Sequence, residues 1–451
     1  MQRTLPSASS ATVTIRFARR SPVASPDLVL ESGVGRAAVE ALSARLGEDE
    51  QERAARLAAL AAYERLPLPA WRLSRTRSSN LTTVDFSRIV PFAAAAGAGE
   101  ATDSDAPTLI VNHDGETVSV RLAPEIAATG AYVAPFETAL RERPELVAAH
   151  LGQVVPTESN RLTALNAALR RGGLFVYVPR GVELREPIEL RTIVDQASLF
   201  PRLLIVAEEH ASVQVIEQIE SRPTAQAGTR VICSVTEIVA QSGARVNYAS
   251  LQQLGDDVTE YALRRSHVGR DATVEYAPVT LGGDVVKGVY EADLVGEGAT
   301  GGAHGFFFPN AHEAFDLSSR ITHGAPHTTS DVLVLGAAND GGQAAFDGMI
   351  AILESGAGSL SNLRSLSLLL APKAHIDSVP GMEIANNDVK AYHGATISEI
   401  DPETLFFCQS RGVDPGEARR MIVAGFFSVI VDAVTSERAR TRLQQRVEAK
   451  L

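Results

Sequence analysis

The sequence predicts a mainly β protein: a right-handed parallel β-helix (β-solenoid) flanked by an N-terminal mixed, partly helical region and a C-terminal helical region. Two observations favour this fold class. Short apolar runs separated by Gly, Asn, Asp or Pro follow one another from about residue 174 to residue 395, with no long helical pattern between them. A loose repeat of about thirty residues runs through the same stretch. We therefore place the domains at residues 1–155, 156–397 and 398–451.

Composition limits the classes of function. The chain has 451 residues, 45% of them hydrophobic, and a formal net charge of −12. Such a chain has no general attraction to nucleic acid or to an anionic membrane surface. No apolar run approaches the roughly 20 residues that span a bilayer. The two cysteines, Cys233 and Cys408, cannot build a disulfide framework. They indicate a reducing compartment, so we predict a cytoplasmic protein.

The first domain is expected to be partly helical. Residues 37–65 have a helix-forming composition with apolar residues three and four apart, and the Leu-Pro-Leu-Pro at residues 66–69 ends that pattern. Two further helices are predicted at residues 137–149 and 160–171. Residues 1–26 contain no acidic side chain, and we interpret them either as a loose basic N-terminus or as a targeting segment.

The middle of the chain carries the solenoid signal. Apolar runs at residues 174–178, 203–206 and 231–235 each have the length of a strand. Strands that repeat without intervening helices predict stacked coils, each burying its inward-facing residues against its neighbours. The repeat is marked by Ala-x-Val-like triplets, the first four of them 33, 28 and 27 residues apart, that begin at Ala211, Ala244, Ala272, Ala299 and Ala374.

The tail returns to helix. Asp401, followed by proline, is a good N-cap, and Gly412 ends that helix. Asp414 and Glu417 match a capping box at the start of a second helix. A third, Arg-rich segment at residues 437–451 suits a solvated face or a helix that docks a partner. The predicted apolar stripe of the second helix is Ala418, Ile422, Phe426, Val429 and Ala433.

Three other patterns are interpreted structurally. The Gly-x-Gly-x-x-Gly at residues 296–301 has the dinucleotide spacing, but the glycine-rich stretch after it cannot open a helix well, so a solenoid corner is favoured. His323 and His327 have a spacing common among zinc ligands, although hydrogen-bonded structural histidines are the simpler interpretation in a strand region. Cys233 lies within an apolar run and is expected to pack in the core.

Two residues near the tail have side chains suited to iron. Cys408 lies near the end of the first tail helix, before Arg411, and nearby positive charge favours a thiolate. His393 lies in the preceding segment, residues 392–396. A thiolate and an imidazole both bind iron, but one chain with two cysteines cannot supply the four thiolates of an ordinary iron–sulfur site. On spacing alone, ordinary packing is the simpler interpretation.

Several segments resemble the SufB/SufD family of iron–sulfur cluster assembly scaffolds, over about residues 155–435. Residues 387–396, Asn-Asp-Val-Lys-Ala-Tyr-His-Gly-Ala-Thr, are similar to the SufD branch. Residues 405–412, Leu-Phe-Phe-Cys-Gln-Ser-Arg-Gly, are more similar to SufB. The chain therefore resembles a SufD protein with a SufB-like C-terminal cysteine. The other similar segments are residues 173–181, 187–190, 346–350, 368–370 and 380–384.

The resemblance implies a set of candidate cluster ligands. In the SufD branch the histidine of this segment is implicated in holding the nascent cluster, which assigns that role to His393. The SufB cysteine corresponds to Cys408, and the acidic SufB residue further along the tail to Glu437. The implied cofactor is a transient iron–sulfur cluster shared with a partner subunit. SufB's sulfur-accepting cysteine has no clear match, because the corresponding strand reads Arg-Ser-His-Val-Gly at residues 265–269.

The resemblance also implies partners. A SufC-type ATPase would bind the C-terminal helices, and a SufB-type subunit or a second copy of this chain would pair through the β-helix. The chain would then be a noncatalytic scaffold subunit that helps to build and transfer a nascent cluster at a subunit interface, driven by the ATPase. The first alternative is a purely structural docking subunit without cluster ligands. The second is a β-helix carbohydrate-active enzyme, which clustered acids or bases on a sheet face would favour.

Overall fold

The chain forms a two-sheet β-solenoid of about eight turns, which confirms the predicted mainly β class. The structure is a computed structural model and describes residues 13–15, 33–69, 89, 106–223, 230–433 and 437–450. The interpretations of residues 1–26 as a loose terminus or a targeting segment therefore fall largely outside the described residues. We call the sheet of eleven strands sheet A and the sheet of nine strands sheet B.

Sheet A has eleven strands, and the strand at its C-terminal edge belongs to the last coil of the solenoid. It consists of β1 (Val13–Ile15), β2 (Thr108–His113), β3 (Glu116–Leu122), β6 (Ile188–Val194), β8 (Ser212–Ser221), β10 (Arg245–Gln253), β12 (Thr273–Thr280), β14 (Thr300–Phe307), β16 (Thr329–Ala338), β18 (Ser359–Leu369) and β20 (Val389–Glu399).

Sheet B faces sheet A across the core. It consists of β4 (Tyr132–Pro135), β5 (Gly173–Val178), β7 (Arg202–Ala207), β9 (Arg230–Ala240), β11 (Val258–Val268), β13 (Val285–Leu294), β15 (Ala314–His323), β17 (Gln343–Ile352) and β19 (His375–Ile384).

From β5 onward the chain alternates between the sheets, and each strand pairs in parallel with the strand one coil away. The register places similar side chains above one another; Tyr248 of β10, for example, is aligned with Tyr276 of β12. Because alternate residues of a strand face opposite sides, one half of each strand lines the space between the sheets. We call this interior the lumen, and most of its lining is apolar.

At the corners that lead from sheet B to sheet A, one residue adopts a left-handed backbone conformation. Large and small residues alternate at this position from coil to coil. Gly243 and Gly358 have positive φ, and a Cβ on either would overlap the imidazole of the preceding coil's corner residue, His210 or His327. Glycine is therefore required there both for its conformation and for its lack of a side chain. The Gly-x-Gly-x-x-Gly at residues 296–301 lies in this column, between β13 and β14, as a solenoid corner.

Helices cover the N-terminal part of the solenoid, most of them on the outer face of sheet B and one, which carries Ile126, over the end of the lumen. The helix predicted at residues 37–65 is two helices, because Gly47 adopts φ 67° and Asp49 caps a new start. The helix predicted at residues 137–149 is likewise divided at Arg143. The cap comprises α1 (Arg36–Leu46), α2 (Glu50–Arg65), α3 (Pro124–Thr129), α4 (Phe136–Glu142), α5 (Pro144–Ala148) and α6 (Arg161–Leu169).

A buried charged residue ties this cap to the solenoid. Glu237 of β9 is fully buried and forms an ion pair with Arg202 of β7. Its carboxylate also accepts backbone N–H groups from Gly152 (3.0 Å), Val154 (3.1 Å) and Val155 (2.9 Å). Because buried charges are tolerated when they are paired and fully hydrogen-bonded, this network fixes the loop before α6 against sheet B.

Three helices follow the solenoid: α7 (Pro402–Ser410), α8 (Pro415–Ala433) and α9 (Glu437–Lys450). Asp401 caps α7 as predicted, accepting the N–H of Glu403 at 3.1 Å and of Thr404 at 3.2 Å. Among the described helices, none combines the length and apolar character needed to cross a membrane.

The buried face of α8 differs from the predicted stripe. Val429 is 56% exposed, and the stripe shared by the described part of α8 is Ala418, Val423, Phe427 and Ile430. Relative to the prediction, α8 is rotated about its axis, because Phe427 packs against Phe306 and Phe308 at the C-terminal end of β14. The spacing of apolar residues within a helix does not indicate which surface the helix packs against.

Candidate functional site

The last coil of the solenoid is uncovered. β20 is the terminal strand of sheet A and β19 is the terminal strand of sheet B. Almost every residue of β20 is exposed, and Tyr392 retains 66% of its accessible surface. By contrast, β7 near the other end is buried along its whole length. The C-terminal end of the solenoid is therefore a surface on which a coil-like partner could stack.

His393 is the final member of an inward-facing column. It is paired in register with Leu363 of β18, and Leu363 is fully buried. His393 thus occupies the position that a lumen residue has in each earlier coil, but on a strand with no coil above it. Its imidazole is consequently exposed. The remaining members of the column, one per coil, are Val332, Ala303, Tyr276 and Tyr248.

The floor beneath His393 is fixed by a close fit across the lumen. A Cβ on Gly348 of β17 would lie 2.6 Å from Cδ1 of Leu363 and 3.0 Å from the ring of Phe346. Leu363 therefore fills the space that the missing side chain leaves. Close packing of this kind holds a side chain in one rotamer. His393 consequently rests on an apolar, well-ordered layer.

Cys408 lies on α7, the element that directly follows β20. It is a free cysteine of intermediate exposure. Its neighbours Phe406 and Phe407 are largely exposed, and the guanidinium carbon of Arg411 lies 5.1 Å from the centroid of the Phe407 ring. Cys408 is thus set among exposed aromatic side chains rather than in a core. Exposure is a requirement for a thiol that is to bind a metal or react.

The three predicted ligands lie on separate elements of the same end of the chain. Glu437 is the first residue of α9, and its side chain is outside the described residues. In the described part of the chain, no hydrogen bond or ion pair joins His393 to Cys408, and no three His, Cys, Asp or Glu side chains are arranged to hold a metal ion. The assignment of these ligands stays a prediction.

The other histidine and cysteine candidates are structural, as the sequence indicated. The imidazole of His323 is fully buried between the hydroxyls of Thr328 (2.8 Å) and Ser330 (2.9 Å), and burial lowers its pKa to about 4. Cys233 is buried against α6, where its thiol donates to the carbonyl of Leu162 at 3.2 Å. Burial raises the pKa of this thiol, so a thiolate is disfavoured there.

Sequence analysis missed a cluster of titratable side chains on the outer face of sheet A. Nε2 of His304 lies 2.9 Å from Oδ2 of Asp331, whose Oδ1 accepts the side-chain amide of Asn362 at 2.8 Å. Glu275 lies on β12, two strands from Asp331, and its carboxyl group lies over Gly302 of the intervening strand β14. Burial raises the pKa of Glu275 to about 7. Glu275 and Asp331 are the third residues of β12 and β16, and both are aligned with Gly302 of β14, so the register of the coils brings them together.

Comparisons with known proteins agree with this architecture. The family model described as "SUF system FeS cluster assembly, SufBD core domain" matches residues 191–426, and the model "SufBD protein N-terminal region" matches residues 108–190. An "Iron-sulfur cluster assembly SufBD family protein" of Staphylococcus epidermidis is 26% identical over 407 residues, covering 85% of this chain and 86% of the relative. A relative of the same description from Staphylococcus haemolyticus is 26% identical over 432 residues, covering 91% of each.

Proposed function

Because the chain belongs to the SufBD family of the SUF iron–sulfur cluster assembly system, we propose that it is a scaffold subunit that helps to build and transfer a nascent cluster at a subunit interface. The observation that carries this proposal is the placement of His393. It is an inward-facing residue of the last coil that is left exposed by the end of the solenoid. A stacked partner would cover it and convert it into a buried interfacial ligand.

We assign His393 and Cys408 as ligands that this chain contributes, with Glu437 as a third on α9. An imidazole and a thiolate both suit iron. A cluster held by few ligands from each of two subunits would be labile, which a scaffold needs in order to release it. The transient cluster is cargo in this scheme, and the chain itself performs no catalytic step.

The partner at the solenoid end would be a SufB-type subunit or a second copy of this chain. β20 forms ladder hydrogen bonds only with β18 among the described strands, so its other edge presents backbone groups for a further strand. Such an edge is a ready template for pairing with another chain. Its exposed Tyr392 and Ile397 would be covered in the complex.

A SufC-type ATPase would dock on the C-terminal helices. These helices keep large apolar side chains on the surface: Phe406 and Phe407 on α7, and Met421 and Val429 on α8. Exposed apolar patches of this kind mark protein–protein interaction sites. Movement of α7 on ATP hydrolysis would displace Cys408, which lies on this helix. The two free cysteines support a reducing compartment, and we propose the cytoplasm.

The proposal is tested by anaerobic co-purification with candidate SufB and SufC chains, followed by reconstitution and a count of iron and acid-labile sulfide per complex. We expect His393→Ala and Cys408→Ser each to lower both counts while the complex still forms. The matched control is His375→Ala, which removes an exposed histidine from the neighbouring terminal strand, where it contacts Asp377. That variant should leave the counts unchanged.

The outcome separates the alternatives. A complex that forms with unchanged iron and sulfide in both variants would make this chain a structural docking subunit, with the ligands elsewhere. The cluster of Glu275, His304 and Asp331 is the observation that favours an enzyme. Hydrolysis of a polysaccharide that is abolished by His304→Ala and Glu275→Gln would replace the scaffold proposal.

A further inference from the structure

The lumen contains a charged cluster in its middle coils, far from the open end. Glu217 of β8, Glu260 of β11 and Arg264 of β11 all face inward, and each is no more than 2% exposed. Charged groups are rarely buried to this extent without complete pairing. Two carboxyl groups share the lumen with one guanidinium, which is always charged in proteins. If both carboxyl groups were ionised, the cluster would hold one uncompensated negative charge.

Glu217 is the carboxyl group that forms an ion pair with the guanidinium of Arg264. Its Oε2 accepts the hydroxyl of Tyr248 and lies 3.5 Å from Nη2 of Arg264. Nε of Arg264 also donates to the hydroxyl of Tyr248, at 3.1 Å. Glu217, Tyr248 and Arg264 therefore form one hydrogen-bonded unit in which the charges of the carboxylate and the guanidinium balance.

Glu260 is left outside that unit. The side-chain amide of Gln252 donates to Glu260, but within the described part of the chain Oε1 of Glu260 and Oε1 of Glu217 are buried without a hydrogen-bond partner. Two buried acceptor oxygens without donors are unfavourable, because each loses on folding the hydrogen bonds that water would supply. A proton on Glu260 would remove the excess charge and supply the missing donor at the same time.

We propose that the solenoid lumen is a binding site for one proton, held by Glu260 and required by the excess of carboxyl groups over guanidinium groups. The proposal does not depend on the ligands assigned at His393. The groups that face Glu260 from the surrounding strands are Arg264 on its own strand, Glu217 of β8, Tyr248 and Gln252 of β10, and Tyr290 of β13. Burial raises the pKa of both tyrosines, so neither adds a charge near neutral pH.

The electrostatic surroundings agree with that geometry. Burial raises the pKa of Glu260 to about 7; Arg264 and the hydrogen bond from Gln252 oppose the rise, and Glu217 adds to it. A group whose pKa is higher in the folded than in the unfolded state stabilises the fold at low pH. This stabilisation is complete below the unfolded value of 4.5 and is lost as the pH rises to about 7. Across that window the unfolding equilibrium constant should rise about tenfold for each pH unit on account of this group.

The direct test is infrared difference spectroscopy of the full chain without cluster at about pH 6, where ordinary glutamates are ionised. We expect a protonated carboxyl signal that exchanges slowly in D2O and disappears in Glu260→Gln. Glu275→Gln is the matched control, because Glu275 also has a raised pKa but lies on the outer face of sheet A. Its signal should exchange quickly and be absent from the slow component.

A second variant tests the charge balance itself. Glu217→Gln leaves Arg264 free to pair with Glu260, so the slow signal should also vanish and the stability between about pH 4.5 and pH 7 should lose the same proton dependence. Persistence of the slow signal in Glu260→Gln would show that another group carries the proton and would overturn the proposal. Its persistence in Glu217→Gln would overturn the charge-balance explanation.

Discussion

The two ends of the solenoid are built from the same repeating coil and differ in what covers them. At the N-terminal end, Ile126 of α3 covers the lumen and the antiparallel strands β3 and β4 follow the last parallel strands, while α2 and α6 pack beside this end on the outer face of sheet B, with the loop before α6 fixed by the buried Glu237–Arg202 pair. At the C-terminal end, β20 is exposed along most of its length and β19 is mostly half-buried. A solenoid coil buries its inner residues only against a neighbour, so terminal coils require a cap. The difference agrees with the proposal that a partner subunit caps the C-terminal end.

The largest expected loss of stability comes from a substitution at the capped end. Glu237→Gln leaves Arg202 buried without a charged partner, and such a loss costs about 3–5 kcal/mol. Denaturant unfolding monitored by circular dichroism measures it. The control is Glu209→Gln, which removes an exposed ion pair with Arg180 and should change the free energy of unfolding by less than about 1 kcal/mol. Equal effects of the two variants would mean that the cap is not held by its buried charges.

A smaller effect is expected at the floor of the open end. Gly348→Ala places a methyl group against Leu363 and should destabilise the chain by about 1–3 kcal/mol through overpacking. It should also lower cluster content by displacing His393, which iron and sulfide counts on the complex would detect. Gly394→Ala is the matched control, because no heavy atom lies within 4 Å of its added Cβ. A destabilising Gly394→Ala would show that β20 is covered within the chain.

The smallest effect on the isolated chain is expected at the open surface. Tyr392→Ser should change the free energy of unfolding by no more than about 0.5 kcal/mol, since its side chain is exposed. Its effect should appear in the complex, because exposed aromatics become anchors when an interface covers them. Sedimentation of the chain alone and with a candidate SufB subunit measures both. Loss of stability in the isolated chain, without loss of association, would contradict an open end.

Much of the fold follows from local sequence patterns. The triplet alanines Ala211, Ala244, Ala272 and Ala299 lie buried directly before β8, β10, β12 and β14, so the repeat correctly indicated one corner of each coil. Ala374 precedes β19 and thus belongs to the opposite corner, which the repeat did not distinguish. Strands β2 and β3 were not predicted, although they form a hairpin around Asp114 and Gly115, which is a local turn signal; only the pairing of β2 with β6 joins distant parts of the chain.

The candidate site was predictable in its residues but not in its setting. A resemblance in sequence indicated His393 and Cys408, whereas the exposure of His393 depends on the end of the coil stack and that of Cys408 on α7, a helix with no buried residue. The buried face of α8 is likewise set by the contact of Phe427 with Phe306, a residue of sheet A far away in the chain. The polar cluster around Asp331 was missed for the same reason, since its members lie on successive coils.

The sequence by itself determined the alternation of strands, one corner of several coils and the N-cap of α7, because each depends on residues within a few positions of one another. Only the tertiary structure decided which side chains meet across coils, as in the cluster of Glu217, Glu260 and Arg264. Such meetings depend on the register of every preceding coil, and spacings of 33, 28 and 27 residues differ enough that no fixed period predicts them.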